Sequence, residues 1–360
     1  MSSSGRLGAG ELRLLRRLAI TPRSRKVTLA QDLGVTRSAI TQLWDKLQEN
    51  YGLAIRGNFD YGKLGLTHLF GWAKAEEGSE TIPKFSSWLK TNSLTSVVVE
   101  SAISSAMDRR VFFEARLPSD SRGQWFHSQL ERFRKRPYSI DVIYARSSHI
   151  SHYINLGLYD GSYWDFDAGF RLGATIDMVR SYADVLPVNP PIEQSKSSYL
   201  NHENLITSSE IDRDFFATAS DLASCYTRLG LKPPSNRTLR RKLAHIRNEI
   251  AYPYLDIKNI GLTKTAVVSL NETASQSSVS RLLLAQASTL PKARVLYAPG
   301  LTVLFLELPE SVEWFTLSQV LSPLSGPSIE MCTFIAGEAQ IWNSLENLTR
   351  YLISDGTPKT

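Results

Sequence analysis

The chain has 360 residues, 42% of them apolar and 21% charged, and a net charge of +6. This is the make-up of a folded chain of about two to four domains, and it excludes a disordered or low-complexity protein. No apolar run approaches the roughly 20 residues that span a bilayer, and residues 1–10 lack the apolar heart of a signal peptide, so a cytoplasmic protein is expected.

Charge is concentrated at the start. Residues 1–60 carry ten basic side chains against five acidic ones, which favours a polyanionic partner. Apolar spacing predicts a first helix over residues 10–19, with Leu12, Leu15 and Leu18 on one stripe. A loop with Pro22, Arg23, Arg25 and Lys26 comes next, then a second helix over 28–33, a glycine turn at Gly34, and a third helix capped by Thr36 and reaching about 50. Ala30, Gly34, Ile40 and Leu43 stand where a helix-turn-helix needs a small residue, a turn and two packing residues. The solvent face of the third helix shows Arg37, Ser38, Thr41, Gln42 and Lys46, side chains able to reach base edges and phosphates. Two β-prone runs, 53–57 and 58–67, flank an Asn/Asp/Gly turn and predict a hairpin wing that would set Arg56 and Lys63 on phosphates.

From residue 68 the period changes. Strands are predicted at 68–75, 95–101, 110–117 and 140–145, and helices at 80–91 and 122–135. Val111, Phe113, Ala115 and Leu117 share one face of the third strand. This strand-helix-strand-strand-helix-strand order is the ferredoxin-like unit, whose open sheet face must pack on something.

The second half repeats the first. Gly65-Leu-Thr67 recurs as Gly261-Leu-Thr263, and the run ending at Pro118 recurs in the run ending at Pro309. Ahead of Gly261, residues 235–250 predict a second recognition-type helix with Arg237, Arg240, Arg241, Lys242 and Arg247 on its polar side, although Tyr226 stands where the first copy has a small residue. Strands are expected at 265–269, 293–298, 301–308 and 329–335, and helices at 275–287, 312–321 and 340–353. The expected class is therefore α+β, with winged helix-turn-helix domains at 8–67 and 208–263, ferredoxin-like domains at 68–150 and 264–354, and an irregular extension and linker at 151–207 with a helix near 174–182. Cys225 and Cys332 are too far apart in kind and spacing to suggest a disulfide framework or metal site, and no phosphate loop, nucleophile elbow or metal cluster is legible, so no metal and no cofactor is expected.

A winged helix-turn-helix joined to a βαββαβ domain resembles the leucine-responsive regulators (Lrp/AsnC), over about residues 10–145 and more loosely over 210–340. The resemblance implies a tandem transcription regulator on double-stranded DNA, with Arg37, Ser38, Thr41 and Gln42 facing bases and the two regulatory domains forming an internal pseudo-dimer. It leaves a small-molecule effector and self-association open. Two other readings stand beside it. Siroheme decarboxylases resemble the same architecture, and His149, His152 and Tyr153 lie together in a run that could handle a proton or a propionate. That run is read instead as a strand-end loop of exposed polar residues, so no enzyme is expected. The other is a scaffold whose winged helices contact proteins.

Overall fold

The structure is a computed structural model, and it describes residues 6–75, 81–102, 109–166, 195–196, 199–272, 280, 284, 287–312, 329–338 and 340–354. Helices α1 (Ala9–Ile20), α2 (Lys26–Leu33) and α3 (Arg37–Tyr51) form from the predicted apolar stripes, with Leu12, Leu15, Leu18, Leu29 and Ile40 buried. Thr36 caps α3 by accepting the Ala39 N–H at 3.1 Å, and Gly34 turns the chain at φ 65°, where a side chain would be strained. Helix α2 starts before Thr28, with Arg25 at its cap position.

The predicted wing is not a hairpin. Strand β1 (Ala54–Phe59) pairs antiparallel with β7 (Ala251–Asp256), from Ala54 opposite Asp256 to Phe59 opposite Ala251. After β1 the chain makes a 3-10 turn, Tyr61–Leu64, capped by Asp60 and closed by Gly65 at φ 79°. The reason is edge satisfaction. Two short β-prone strands, one from each half, meet each other's open hydrogen-bonding groups along one edge. A side chain at Gly57 would strike Ile211, so this strand also has to be narrow.

The first sheet is built from β2 (Leu66–Ala75), β3 (Thr95–Glu100), β4 (Arg110–Pro118) and β5 (Ile140–Arg146), with α4 (Ile82–Thr91) and α5 (Ser121–Arg134) between them. The second is built from β8 (Leu262–Glu272), β9 (Lys292–Ala298), β10 (Leu301–Pro309) and β11 (Ile329–Ile335). Each takes its fifth strand from the other half. β6 (His149–Ile154) joins β9, and β12 (Ile341–Trp342) joins β3, giving the orders β12-β3-β4-β2-β5 and β6-β9-β10-β8-β11. All neighbours are antiparallel.

Two expectations change here. Residues 148–153 are not an exposed loop; most of them form β6, because their alternation lets Ile150 and Ser151 bury on opposite faces of a shared sheet. The closing helix, α9 (Leu345–Ile353), starts later than 340, since Ile341 and Trp342 are spent on β12 and Ser344 caps what remains. Before β7 lie α6 (His202–Arg213), α7 (Ala219–Arg228) and α8 (Asn236–Glu249), so this group of helices begins inside the predicted linker. The helix near 174–182 falls outside the described residues, and those at 275–287 and 312–321 do so almost entirely.

Strand alternation sorts the cores. Phe113 turns outward under Phe85 of α4, ring centroids 5.8 Å apart, while Phe112 turns inward and meets Phe305 of the second sheet edge-on at 4.5 Å. The sheets thus pack face to face through Phe112, Val267, Leu296, Val303 and Phe305, all buried. Phe112→Ala should cost about 3–5 kcal/mol in urea unfolding, the range for a buried aromatic cut to alanine; a loss under about 1 kcal/mol would mean that the sheets do not meet there.

Candidate functional site

The alternation that buries Phe112 also sends Glu114 and Arg116 of β4 to the inner face, and His68 of β2 stands directly across from Arg116. On the second sheet Arg294 of β9 lies between Phe305 of β10 and His152 of β6 in register. The two sets meet at the seam. Glu114 is fully buried and is gripped by both terminal nitrogens of Arg294, with Nη2 2.6 Å from Oε2, and by His68 Nε2 at 2.9 Å. A carboxylate in such a place needs these partners, since an unpaired buried charge is costly.

Around this pair the aromatic residues are polar-tipped. Tyr61, from the 3-10 turn, stacks on His68 with centroids 5.2 Å apart, and the Arg116 guanidinium lies 5.3 Å from the same phenol ring. His152 stacks on Tyr254 of β7 at 3.8 Å and 12°. On the far side, Asp256 takes Arg56 at 2.8 Å, and Lys292 joins Asp256 to Glu307 at 3.5 and 2.9 Å.

Burial works to raise the Glu114 carboxyl, but Arg294 and His68 outweigh it and hold it at about 2. Burial lowers His68 below its ordinary value despite Glu114, with Arg294 and Arg116 adding to the fall. His152 is pushed well down by burial and then by Arg294. Burial also raises Tyr254 and Tyr61, so both phenols keep their protons. A neutral His68 that donates from Nε2 has its acceptor at Nδ1. That atom, with Nε and Nη1 of Arg116, is buried and without a hydrogen-bond partner among the described residues. Such atoms in a tightly packed seam are unusual and point to something that completes them.

Beside the seam is a cavity of about 240 Å³. His152, Tyr153 and Ile154 of β6 form one wall and Pro253, Tyr254 and Leu255 of β7 another, with Ala19, Pro22 and Ser288 closing it. It is below the usual size of a whole-ligand pocket.

The residues expected to touch DNA lie elsewhere. Arg37, Ser38, Gln42, Arg25, Arg237, Arg240 and Arg241 are exposed on α3, α8 and the loop before α2. Thr36 is used as a cap, Thr41 donates to the Arg37 carbonyl, Lys46 pairs with Glu11, Lys26 with Asp45, and Arg23 donates to the Arg247 carbonyl. Arg56 and Lys63 do not sit on a free wing. Pairing of the two wing strands draws Arg56 onto Asp256 and Lys63 onto the Glu249 carbonyl, 2.8 Å away. Of the histidine run, His152 reaches the cavity and His149 stacks on Tyr297. Sequence reading missed His68, Glu114, Arg116, Arg294, Tyr61 and Tyr254. The one signal available was a Glu and an Arg on the inward beat of an otherwise apolar strand. Among the described residues no group of His, Cys, Asp and Glu could hold a metal ion, and no helix is long and apolar enough to cross a membrane.

No family model matches the chain, and no curated protein sequence does. Among solved structures it is similar to the siroheme decarboxylase NirDL, at 11% identity and a TM-score of 0.50, over 95% of this chain and 96% of that one. The same enzyme in complex with an iron-uroporphyrin III analogue aligns with a TM-score of 0.45 at 11% identity, over 94% and 96%. A transcriptional regulatory protein of the AsnC family from Pyrococcus furiosus aligns at 18% identity over 38% of this chain and 88% of its own, with a TM-score of 0.25. The chain therefore shares its fold, end to end, with an enzyme. That corrects the expectation of a DNA-binding transcription regulator without enzymatic activity.

The depressed histidines set a pH dependence. His68 and His152 are neutral in the fold but take up protons near 6.5 when unfolded, so the unfolded chain binds more protons below that value. Their contribution is complete above 6.5 and is lost as pH falls toward their lowered folded values. The urea midpoint should drop between pH 7.5 and 5.5, and His152→Gln should flatten part of that drop; an unchanged wild-type midpoint would show that the two rings are not held neutral.

Proposed function

We propose that the chain is an enzyme that binds a carboxylated tetrapyrrole and removes carboxyl groups from it, an activity of the siroheme decarboxylase type. We read it as a tandem of two Lrp/AsnC-like units, winged helix-turn-helix domains at 8–67 and 202–263 and ferredoxin-like domains at 68–150 and 264–354, paired as an internal pseudo-dimer. The matching strand orders and exchanged edge strands support that reading. So does the fold shared over the full chain with the siroheme decarboxylase NirDL.

The observation that carries the activity is the guanidinium with unmet donors at the seam. Glu114 is paired with Arg294, His68 and His152 are neutral, and Arg116, which feels the Asp212 and Glu114 carboxylates through space, keeps two N–H groups unmet among the described residues. A carboxylate matches a guanidinium in charge and in geometry. It would be a non-reacting one. Decarboxylation disperses the carboxylate's charge, so a guanidinium on the reacting group would stabilise the ground state more than the transition state. Arg116 would anchor one acidic arm, and a second would enter the less charged cavity between His152 and Tyr254.

There the bond from the methylene to the carboxyl carbon breaks and CO₂ leaves. The electron pair stays on the methylene carbon, conjugated with the ring, and takes a proton to give a methyl group. That proton comes from solvent, and His152, held neutral, would relay it: one ring nitrogen gives up its N–H as the other takes a proton from water, on a ring fixed by stacking against Tyr254. Apolar walls from Ile154, Pro253 and Leu255 keep water from solvating the carboxylate that must be lost.

Purified chain mixed with siroheme should shift the pigment's absorbance and release CO₂, with the smaller product seen by mass spectrometry. Arg116→Met should weaken binding about 10–150-fold, the worth of a charged hydrogen bond. His152→Ala should lower turnover about 10²–10⁴-fold with binding retained. Neither a shift nor CO₂ from the wild-type chain would sink the proposal.

A further inference from the structure

The inward face of β4 carries an acid and a base two residues apart, Glu114 and Arg116. Side chains at that spacing stand on one face about 7 Å apart, within reach of an arginine. Left to themselves they would pair. That would fill the unmet donors of Arg116 and cancel its charge. In the structure they do not, because Glu114 is taken by Arg294 from the opposite sheet.

What holds Arg294 there is aromatic. Its guanidinium carbon lies 6.0 Å from the Phe305 ring and 5.7 Å from the Trp342 ring, and those two rings meet near-perpendicular at 6.0 Å. Phe305 is core, and Trp342 is not. Its residue is 53% exposed, its Nε1–H goes to Gln340 at 3.1 Å, and its strand has two residues. A large apolar ring left half in water is poorly explained by burial. Its contact with a guanidinium is a reason for it to be there.

Strand register sharpens the point. Each sheet borrows an edge strand from the other half, and the borrowed strands place His152 opposite Arg294 and Trp342 opposite Val97. Val97 in turn lies opposite Glu114, as Arg294 lies opposite Phe305. The position that carries a titratable ring at the cavity therefore carries an indole at its counterpart, where it serves the first site instead of forming a second.

We infer that Trp342 is a positioning residue for an anion site at Arg116: it clamps Arg294 onto Glu114, and so leaves Arg116 as the guanidinium that takes a ligand carboxylate. This rests on the reading of Arg116 as an anchor. It adds a residue far away in sequence that sets whether the anchor's donors are free for a ligand or taken by Glu114.

The test uses the full chain and two probes, propionate and siroheme. Propionate is a plain carboxylate without a ring, followed by NMR of the His68 imidazole; siroheme is followed by absorbance. Trp342→Ala should weaken both about tenfold, the order of a charge-assisted hydrogen bond lost to an internal competitor. Trp342→Phe keeps an aromatic face and should bind within about twofold of wild type. Glu114→Gln added to Trp342→Ala should restore binding, because an amide cannot neutralise Arg116; a purely structural role for Trp342 would not be undone by a second substitution. Wild-type affinity in Trp342→Ala, or no recovery in the double variant, overturns the inference. Propionate binding with the expected variant pattern but no siroheme binding leaves the clamp standing and removes the tetrapyrrole reading. Binding of neither probe to the wild-type chain removes both.

Discussion

The ion pair between Glu114 and Arg294 ties the two halves together and decides what the seam can do. It joins strands from opposite sheets, and its carboxylate has no exposure to water. A pair this deep is tolerable only when its geometry is bidentate and its remaining lone pairs are met, here by His68. That demand shapes its surroundings. The sheets must face each other at this point, the imidazole must be neutral and oriented, and the second guanidinium of β4 is left over.

Edge management explains why the halves are inseparable. A lone βαββαβ sheet has two bare edges and a bare face. In this chain the faces cover each other, β6 and β12 cross over to cover an edge of the opposite sheet, and the strands after α3 and α8 cover one another. The same exchange that satisfies backbone groups carries His152 and Trp342 to the seam and Tyr254 over the cavity. A site assembled by crossing strands has its members spread from Tyr61 to Trp342, although they act over one small region.

Pairing of β1 with β7 leaves Arg56 half-buried on Asp256, while Lys63 stays exposed with its ammonium on the Glu249 carbonyl. The basic residues that stay exposed on α3 and α8 are on the outside of the molecule, whereas Glu114, His68 and His152, each with a shifted titration, stand together at the seam. Clusters of shifted groups beside a cavity are where chemistry is usually found.

Local physics was enough for much of the chain. The 3.6 and 2.0 periods located α1, α3, α5, α8, β3, β4 and β10 to within a residue or two, and the caps at Thr36 and Ser235 and the turn at Gly34 arise from side-chain chemistry that neighbours alone dictate. The recurrence of Gly65-Leu-Thr67 at Gly261 stands at the start of the first central strand of each five-stranded sheet, and the two sheets match in strand order. Partner choice lies beyond that range. Whether β1 folds back as a hairpin or pairs with a strand about 200 residues on, and whether 149–154 is a loop or a sheet edge, depends on hydrogen-bonding groups brought together only by the fold. The same holds for function. Sequence put Glu114 and Arg116 on an apolar strand, but only the packed sheets set Arg294 on one, left donors of the other unmet among the described residues, and drove His68 and His152 neutral, because desolvation and charge act through space and not along the chain.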